Sequence, residues 1–458
     1  MAAEPVHRLL TGWGGTAPTA ASVLPVGSPA EVAAALRTAG PRGVIARGLG
    51  RAYGDAAQSA GGTVLDCRGL RERVTLDPVT GNVTASAGVS VDLLMRHLLP
   101  RGWFVPVTPG TRQVTVGGAV AADVHGKNHH ADGSLGQHLR GLTLVTPDGR
   151  IRHVSPDAEA ELFWATVGGM GLTGVVVEAT FGCLPVRTAW VRAHVERAAD
   201  LDDALARMAG GDHAYRYSVA WIDLLARGAS LGRSVLMRGD HAEPDELPAR
   251  RRGDPLHFAP APALPAPPAS VVPSGLLNRA SVRAFNAAFF RTAPVDRWEL
   301  QPLATFFHPL DRVGGWNRLY GPRGFVQYQC VLPYGAESTL REVVRRLSDA
   351  GHPSFLAVVK RFGRGNPAPL SFPMPGWTLA LDLPIGGSTA RARLRAMLRG
   401  LDELVAAAGG RVYLAKDSTL APDLVERMYP EVGRWRAVRD AVDPVGVMRS
   451  DLARRVGL

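Results

Sequence analysis

Lysine is nearly missing from this chain. Of 52 basic residues in 458, only Lys127, Lys360 and Lys416 are lysines. Arginine serves wherever a positive charge alone is needed, so a persisting lysine marks a place where a compact ammonium with a movable pKa matters. The three stand in unusual strings, HGKNHH, VVKRFG and YLAKDS. The functional reading is strongest for Lys416, and chance survival at the surface is the alternative for the other two. Cysteine is equally scarce: Cys67, Cys183 and Cys330 are far apart, odd in number and without metal spacing. That excludes a disulfide framework and a zinc site, and implies a reducing compartment with thiols in the core. No apolar run approaches the ~18 residues of a membrane-spanning helix. The start, MAAEPVHRLLTGWGG, has neither the charged head nor the apolar body of a secretory signal. A cytoplasmic protein is expected, with at most a peripheral contact to a membrane.

What is present is a hydrophobic fraction of 46% and a net charge of +11. The length implies two or three domains. The charge suggests nucleic acid first. Yet the arginines are scattered, the densest cluster is Arg250-Arg251-Arg252, and no RNA-binding aromatic signature or zinc finger is found. A diffuse positive field suits a phosphorylated substrate, an acidic cofactor or an anionic membrane surface.

The chain is organised around VTPGTRQVTVGGAVAADVHGKNHH, Val107 to His130. Gly117, Gly118, Ala119, Ala121 and Ala122 fill almost no volume, and backbone this bare lets something approach closely. Around it an α+β pattern is predicted. Ser28 to Gly40 reads as a helix capped by Ser28, with Glu31 three residues on. Gly43 to Asp55 is a strand running into a glycine loop. GTVLDC, NVTASAGVS and WFVPV read as strands and VDLLMRHLLPRG as a helix. LRGLTLVTPDGRIRHV is a hairpin about Thr146 to Gly149. Beyond Cys183, alternation marks strands at Tyr215 to Asp223, Phe325 to Pro333, FLAVVKRFG and TLALDLPI, separated by helices at STLREVVRRLSDAG and TARARLRAMLRGLDELVAAAGG. Residues 244–273 are rich in Pro and Ala and read as a mobile loop or surface excursion. Three parts are expected: 1–183, a second domain with an antiparallel sheet at 184–410, and a return of 411–458 to the first.

Three glycine clusters compete for a phosphate: Gly48, Gly50 and Gly54; Thr115-Val116-Gly117-Gly118; and Gly169 to Gly174. The last matches G-x-G-x-x-G, but a helix precedes it and a strand follows, the reverse of a dinucleotide fingerprint. Together they imply an elongated ligand with a pyrophosphate, held by backbone N–H groups in turns rather than at one helix end. Taken singly, each is as well explained as a tight turn. His125 and His129 lie four apart, but Gly126 and Asn128 oppose a chelating helix and no acidic partner is near, so no metal is expected.

ARGLGRAYGD, TPGTRQVTVGGAVAADVHGKNHH, ELFWATVGGMGLTG, HPLDRVGGWNRLYGP, APLSFPMPGW and AKDS resemble, in order and along nearly the whole chain, the decaprenylphosphoryl-β-D-ribose 2-oxidases. These belong to the FAD-dependent oxidases of the vanillyl-alcohol oxidase type. The resemblance implies a two-part FAD-binding domain and a separate substrate domain with an antiparallel sheet. It implies oxidation of the ribose 2-hydroxyl of a polyprenyl-phosphate sugar to a ketone. A separate short-chain reductase would then complete epimerisation to the arabinose donor for cell-wall arabinan. FAD contacts are implied for Arg47, Gly48, Gly50, Arg51, Tyr53 and Gly54; for Pro109, Gly110, Thr111, Thr115, Gly117 and Gly118; for Asp123, His125, Gly126, Asn128 and His129; and for Gly171, Thr173, Gly174, Val175 and Tyr413. Substrate contacts are implied for Gln329, Lys360, Phe307, Phe362, Ala380, Asp382 and Lys416. In related sugar oxidases a histidine of the first glycine loop bonds covalently to the flavin; Tyr53 takes that place here, so non-covalent FAD is implied. A pocket cysteine of the family corresponds to Ala380, a usual tyrosine to Phe307 and a usual asparagine to Thr378. All three changes fall on the substrate side, the last two removing polar groups.

Oxidising a secondary alcohol needs an acceptor for the hydride and a base for the hydroxyl proton. Lys416 is the first candidate for that base, since a desolvated lysine beside other cations titrates near neutrality. An ion pair with adjacent Asp417 is its structural alternative. His125 is the second candidate, with Tyr53 beside the reacting ring and Lys360 on the phosphate. The rival functions are an oxidase of a soluble sugar, alditol or nucleoside precursor, and a basic nucleic-acid-binding protein.

Overall fold

The computed structural model describes residues 4–458 except Glu72, Ala261 and Ser274. The first residues of the lead-in and Ala261 of the Pro-rich stretch therefore lie outside the described residues.

The N-terminal third holds two sheets. In the first, the strands Thr19–Pro25, Thr63–Asp66 and Val44–Arg47 run parallel, with Val6–Leu10 antiparallel at the edge. The Pro29–Arg37 helix crosses between two of them. Ser28 caps it, its hydroxyl accepting from the Glu31 N–H at 3.3 Å. The second is a five-stranded antiparallel sheet, Val74–Leu76, Asn82–Ser86, Val175–Gly182, Leu139–Val145 and Ile151–Val154. The predicted hairpin forms its edge.

Two local expectations are corrected. The Thr115 to Gly118 cluster is not a turn but the start of a helix, Val116–Ala121, whose Thr115 hydroxyl accepts from the Gly118 N–H at 3.3 Å. Thr115 supplies a cap and the alanines supply propensity. Gly117 is needed for approach: a Cβ there would stand 3.0 Å from the Ala87 Cβ. WFVPV forms a ladder only at Trp103–Phe104, against Leu184–Pro185, and Pro106 has no N–H to extend it.

The remainder is built on one eight-stranded antiparallel sheet. Its order is Asp296–Pro302, Trp190–Ala198, Ser234–His241, Tyr217–Ile222, Ala357–Phe362, Gly376–Pro384, Phe325–Pro333 and Arg411–Val412. The Leu201–Gly211, Glu337–Ala350 and Ser388–Ala407 helices pack on it. In the Phe325–Pro333 strand every residue but the last is buried, so both faces are covered. After Val412 the chain returns to the first sheet. The Val44 N–H donates to the Val447 carbonyl at 2.8 Å and the Arg449 N–H to that of Val44 at 2.9 Å. The fully buried Trp435 indole donates to the Ala165 carbonyl at 2.9 Å. Residues 244–273 carry short helical turns at Pro244–Glu246, Ala249–Arg252 and Ala269–Val271, and a two-residue bridge to Val313–Gly314.

Beneath the large sheet, Asp402 of the Ser388–Ala407 helix is 1% exposed, and neither carboxyl oxygen has a hydrogen-bond partner among the described residues. Burial, and then the charge of Asp417, raise its pKa to about 8. The folded protein therefore holds a proton that the unfolded chain releases. This contribution to stability is complete below the unfolded pKa of ~4 and is lost as pH rises towards 8. Asp402→Asn should flatten that limb by up to about 1.4 kcal/mol per pH unit. Its urea midpoint should exceed the parent's at pH 8 and match it near pH 4. A parallel pH dependence in both proteins would contradict this.

Candidate functional site

The strand register builds one wall of the site. Gln327, Gln329 and Val331 lie opposite Asp382, Ala380 and Thr378, and the last two lie opposite Val358 and Lys360 of the next strand. Period-two alternation puts all of these on one face. Its polar members bond laterally. The Gln329 amide donates to the Thr378 hydroxyl at 2.9 Å, which donates to the Cys330 carbonyl at 2.9 Å. The Gln327 amide and the Tyr320 hydroxyl donate to the Asp382 carboxylate.

The opposite wall comes from the first domain and the C-terminal return. Tyr53 is fastened by its N–H to the Ala415 carbonyl at 3.0 Å. Gly54 packs so closely on the YLAKDS turn that a Cβ would stand 1.9 Å from the Asp417 carbonyl oxygen. This contact carries the Lys416 ammonium to 5.6 Å from the Tyr53 ring centre. Tyr413 donates through its hydroxyl to the Ala122 carbonyl at 2.7 Å, and its N–H donates to the Gln329 carbonyl at 2.9 Å. The Asp417 alternative is excluded: that carboxylate bonds Arg455 and the N–H groups of Thr419 and Leu420.

His125 joins the two walls. Its Nε2 is 3.0 Å from the Gln329 amide nitrogen, so it accepts and the proton sits on Nδ1. Its ring contacts those of Phe362, Phe372 and Tyr413. Burial, with Lys360 and Lys416 nearby, holds the imidazole well below its usual pKa, hence neutral. Burial lowers Lys360 to about 7, aided by the charges of Lys416 and Lys127, and lowers Lys127 to about 7 by itself. Lys416 is also lowered by burial, against the raising effect of Asp382, while burial raises Asp382. The chain's three lysines are thus all buried, and Lys360 feels the charge of the other two. Lys127 donates to the Phe306 carbonyl, whereas Lys360 and Lys416 have no hydrogen-bond acceptor among the described residues.

Other sequence candidates hold the walls rather than face the pocket. Asp123, in a left-handed conformation at φ 40°, accepts from Ser134, Gly136, Asn366 and Ser371. The Asn128 amide donates to Pro106 and Asp132. Thr111 donates to Asp311, and Thr173 bonds Thr166. Arg47 donates to the Thr11 and Ala57 carbonyls, and Arg51 lies 3.8 Å over the Trp13 ring. Thr115 meets the first loop, where a Cβ on Gly48 would stand 2.1 Å from its hydroxyl. A Cβ on Gly50 would stand 2.5 Å from the Arg47 guanidinium, and one on Gly126 2.8 Å from the Thr108 carbonyl. Gly174 and Val175 lead into the second sheet, with φ 145° at Gly174. Open space remains at Gly110, beside Pro109, whereas a Cβ on Gly171, at φ 74°, would meet the Ile45 Cδ1 at 3.8 Å. Phe307 is 3% exposed and packs on Phe104, Phe306 and Tyr217, next to Lys127. Buried His125 Nδ1, His129 Nε2, Gln327 Oε1 and Gln329 Oε1 have no partner among the described residues. Sequence reasoning missed Gln327 and Tyr320. The spacing of Gln327 and Gln329 in an apolar strand would have found the first; nothing local marks the second.

Residues 20–155 match a family described as FAD binding domain, and residues 356–456 one described as D-arabinono-1,4-lactone oxidase. The chain is 45% identical over 456 residues to decaprenylphosphoryl-beta-D-ribose oxidase of Mycolicibacterium smegmatis, covering 98% of each. It is 46% identical over 379 residues to an uncharacterized protein in the mprA 5′ region of Streptomyces coelicolor, 81% of this chain and 100% of that one. It is 25% identical over 429 residues to a putative D-arabinono-1,4-lactone oxidase of Neurospora crassa, 83% of this chain and 73% of that one.

Ala380 shares its face with Gln329 and Lys360. Burial pushes the thiols of Cys67, Cys183 and Cys330 up to about 12, which leaves almost no thiolate. The folded protein should therefore resist a maleimide at pH 8. Ala380→Cys should take up one equivalent, read by intact mass, because its thiol would stand among lysines. Equal labelling of both proteins would remove Ala380 from the pocket wall.

Proposed function

The chain belongs to the family of decaprenylphosphoryl-β-D-ribose oxidases, FAD-linked oxidoreductases, and from that premise we propose that it oxidises the 2-hydroxyl of a polyprenylphosphoryl-β-D-ribose to the ketone. The observation that carries the proposal is the meeting of Lys127, Lys360 and Lys416 against the Gln329 face. Buried lysines whose charged form is held back by desolvation, with one carboxylate near them, favour an arriving anion that restores the charge. A sugar phosphate beside a flavin nucleotide supplies it.

The residues fit FAD. Polar atoms of His125, His129 and Gln329 without a partner among the described residues, and the open backbone at Gly110, offer hydrogen bonds and room for it. When bound, FAD supplies the two-electron acceptor for the alcohol. We assign its flanks to the glycine loops at 48–54, 110–118 and 171–174. Tyr53 gives no imidazole for a bond to the ring, so the cofactor is held without a covalent link. Burial keeps the Tyr53 phenol well above its ordinary pKa, hence neutral. We divide the chain into an FAD-binding part at 1–183 and 411–458 and a substrate part at 184–410.

Lys416 takes the hydroxyl proton. His125, held neutral and far below its usual pKa, is the weaker base, and its ring orients the sugar through Nδ1–H. Lys360 meets the phosphate, and Asp382 receives the proton relayed from Lys416. A short-chain reductase then returns the ketone to the inverted alcohol. No helix among the described residues is long and apolar enough to cross a membrane.

Anaerobic loss of flavin absorbance on mixing with polyprenylphosphoryl ribose tests the reading, with free ribose and nucleosides as controls. Rapid bleaching by the lipid sugar alone is expected; bleaching by the free sugars alone would overturn it. Lys416→Arg keeps the charge but cannot accept a proton. It should leave the half-saturating concentration within a few-fold of the parent and slow bleaching by about 10²–10⁴. The rise of rate with pH through neutrality should vanish. A Lys416→Met protein that bleaches normally would remove this residue from proton transfer.

A further inference from the structure

The Arg279–Thr292 helix is held to the body by little. Of its 14 residues only Val282 and Asn286 are buried, the latter through its amide donating to Asp223 at 2.7 Å. Phe285 and Phe289, one turn apart and stacked at 6.0 Å between ring centres, are 47% and 39% exposed. Leu264, Val271, Leu276, Val295 and Trp298 are exposed nearby in sequence. Half of the large exposed hydrophobic residues among the described residues thus fall between 264 and 298. Scattered exposed apolar residues need no explanation, but a concentration of this kind does. From Pro255 to Val295 there is no Asp or Glu, and the charges are Arg279, Arg283 and Arg291. None of these three has an acidic partner among the described residues. The nearest helix-side acid, Asp223, is taken by Arg233 and Asn286.

The same face leads inward through aromatic rings. Phe289 meets Trp221 at 4.7 Å, and the Trp221 indole donates to the Phe355 carbonyl at 3.0 Å. Phe285 meets the Phe355 ring at 6.0 Å, and Phe355 stacks on Tyr320 at 5.9 Å. The Tyr320 hydroxyl donates to Asp382 at 3.2 Å, inside the reaction pocket.

We propose that this helix and the 264–278 segment before it dock on an anionic lipid bilayer. In this arrangement the phenylalanines enter the acyl region, the arginines meet lipid phosphates, and the Phe285–Phe355–Tyr320 line receives the isoprenoid chain of the substrate. The docking stands on the exposed residues alone; the identity of the guided chain rests on the polyprenyl reading above. Basic charge beside exposed aromatic rings is the composition of an interfacial helix. The 41 residues from Pro255 to Val295 carry no acid, so their three arginines favour an anionic lipid, with Asp296, paired to His194, at the edge.

The test is co-sedimentation of the FAD-loaded full-length protein with vesicles of phosphatidylglycerol and phosphatidylcholine, or of phosphatidylcholine alone. The parent should pellet with the anionic vesicles and be released by salt. Phe285→Ser/Phe289→Ser should lose binding at least tenfold while keeping its flavin spectrum and melting temperature. Arg283→Glu/Arg291→Glu should lose the preference for anionic vesicles. With the phenylalanine variant, KM for vesicle-borne substrate should rise, and turnover on vesicles should fall further than turnover of a two-isoprene analogue in solution. Absence of parent binding, or equal binding by the phenylalanine variant, overturns the proposal, and a protein partner would then be sought for this face. Phenylalanine-dependent vesicle binding without turnover of either lipid sugar would sustain the docking and sink the substrate reading instead.

Discussion

Three buried ammonium groups within reach of one another's charge are the constraint on which this structure depends. Each costs several kcal/mol to desolvate as an ion, and like charges add to that cost. The fold meets the cost in part by moving the pKa values: Lys127 and Lys360 fall to about 7, so neither need be charged at neutral pH. Asp382, the acid that faces Lys416, is raised by the same burial. The pocket is thus a place where protons move at little cost and where an arriving anion restores the charge.

The scarcity of lysine made that pocket legible in the sequence, because composition isolated three positions that the fold then joined. The ladder was legible as well: alternation found the four strands that carry Gln329, Lys360, Ala380 and Tyr217. Missed were Trp190–Ala198, Ser234–His241 and Asp296–Pro302, whose charged residues interrupt the apolar pattern. In WVRAHVERA the inward positions are nonetheless Val191, Ala193 and Val195, so a count by alternate positions would have recovered it. Long-range contacts were not legible. Nothing local says that Asp417 faces Arg455, or that Tyr320 reaches Asp382.

The departures from the family pattern look different in place. Thr378 was expected to remove a polar group, yet its hydroxyl accepts from Gln329 and donates to the Cys330 carbonyl. Its role is to fix the Gln329 amide, which in turn fixes the ring of His125. Phe307 does remove a hydroxyl, but into an aromatic cluster with Phe104, Phe306 and Tyr217 that has no need of one. Its link to the pocket runs through Lys127, whose ammonium lies 4.2 Å over the neighbouring Phe306 ring. Such a ring stabilises a desolvated cation without hydrogen-bonding to it. The substitution therefore changes the polarity behind Lys127 rather than the groups opposite Lys416.

The site is also a product of chain return. Lys416 comes from the C-terminal segment, Tyr53 from the first glycine loop and Asp382 from the large sheet, so no one part holds the reacting groups. What joins the first two is Arg455, which bonds both carboxylate oxygens of Asp55 and one of Asp417. Bidentate pairing of this kind fixes direction as well as distance. Because Asp55 ends the first glycine loop and Asp417 follows Lys416, the guanidinium sets the spacing between that loop and Lys416. A chain that closed its sheets but not this clasp would keep its fold and its cores while presenting the lysine to nothing. One arginine near the C-terminus thus ties the first glycine loop to the segment that carries Lys416.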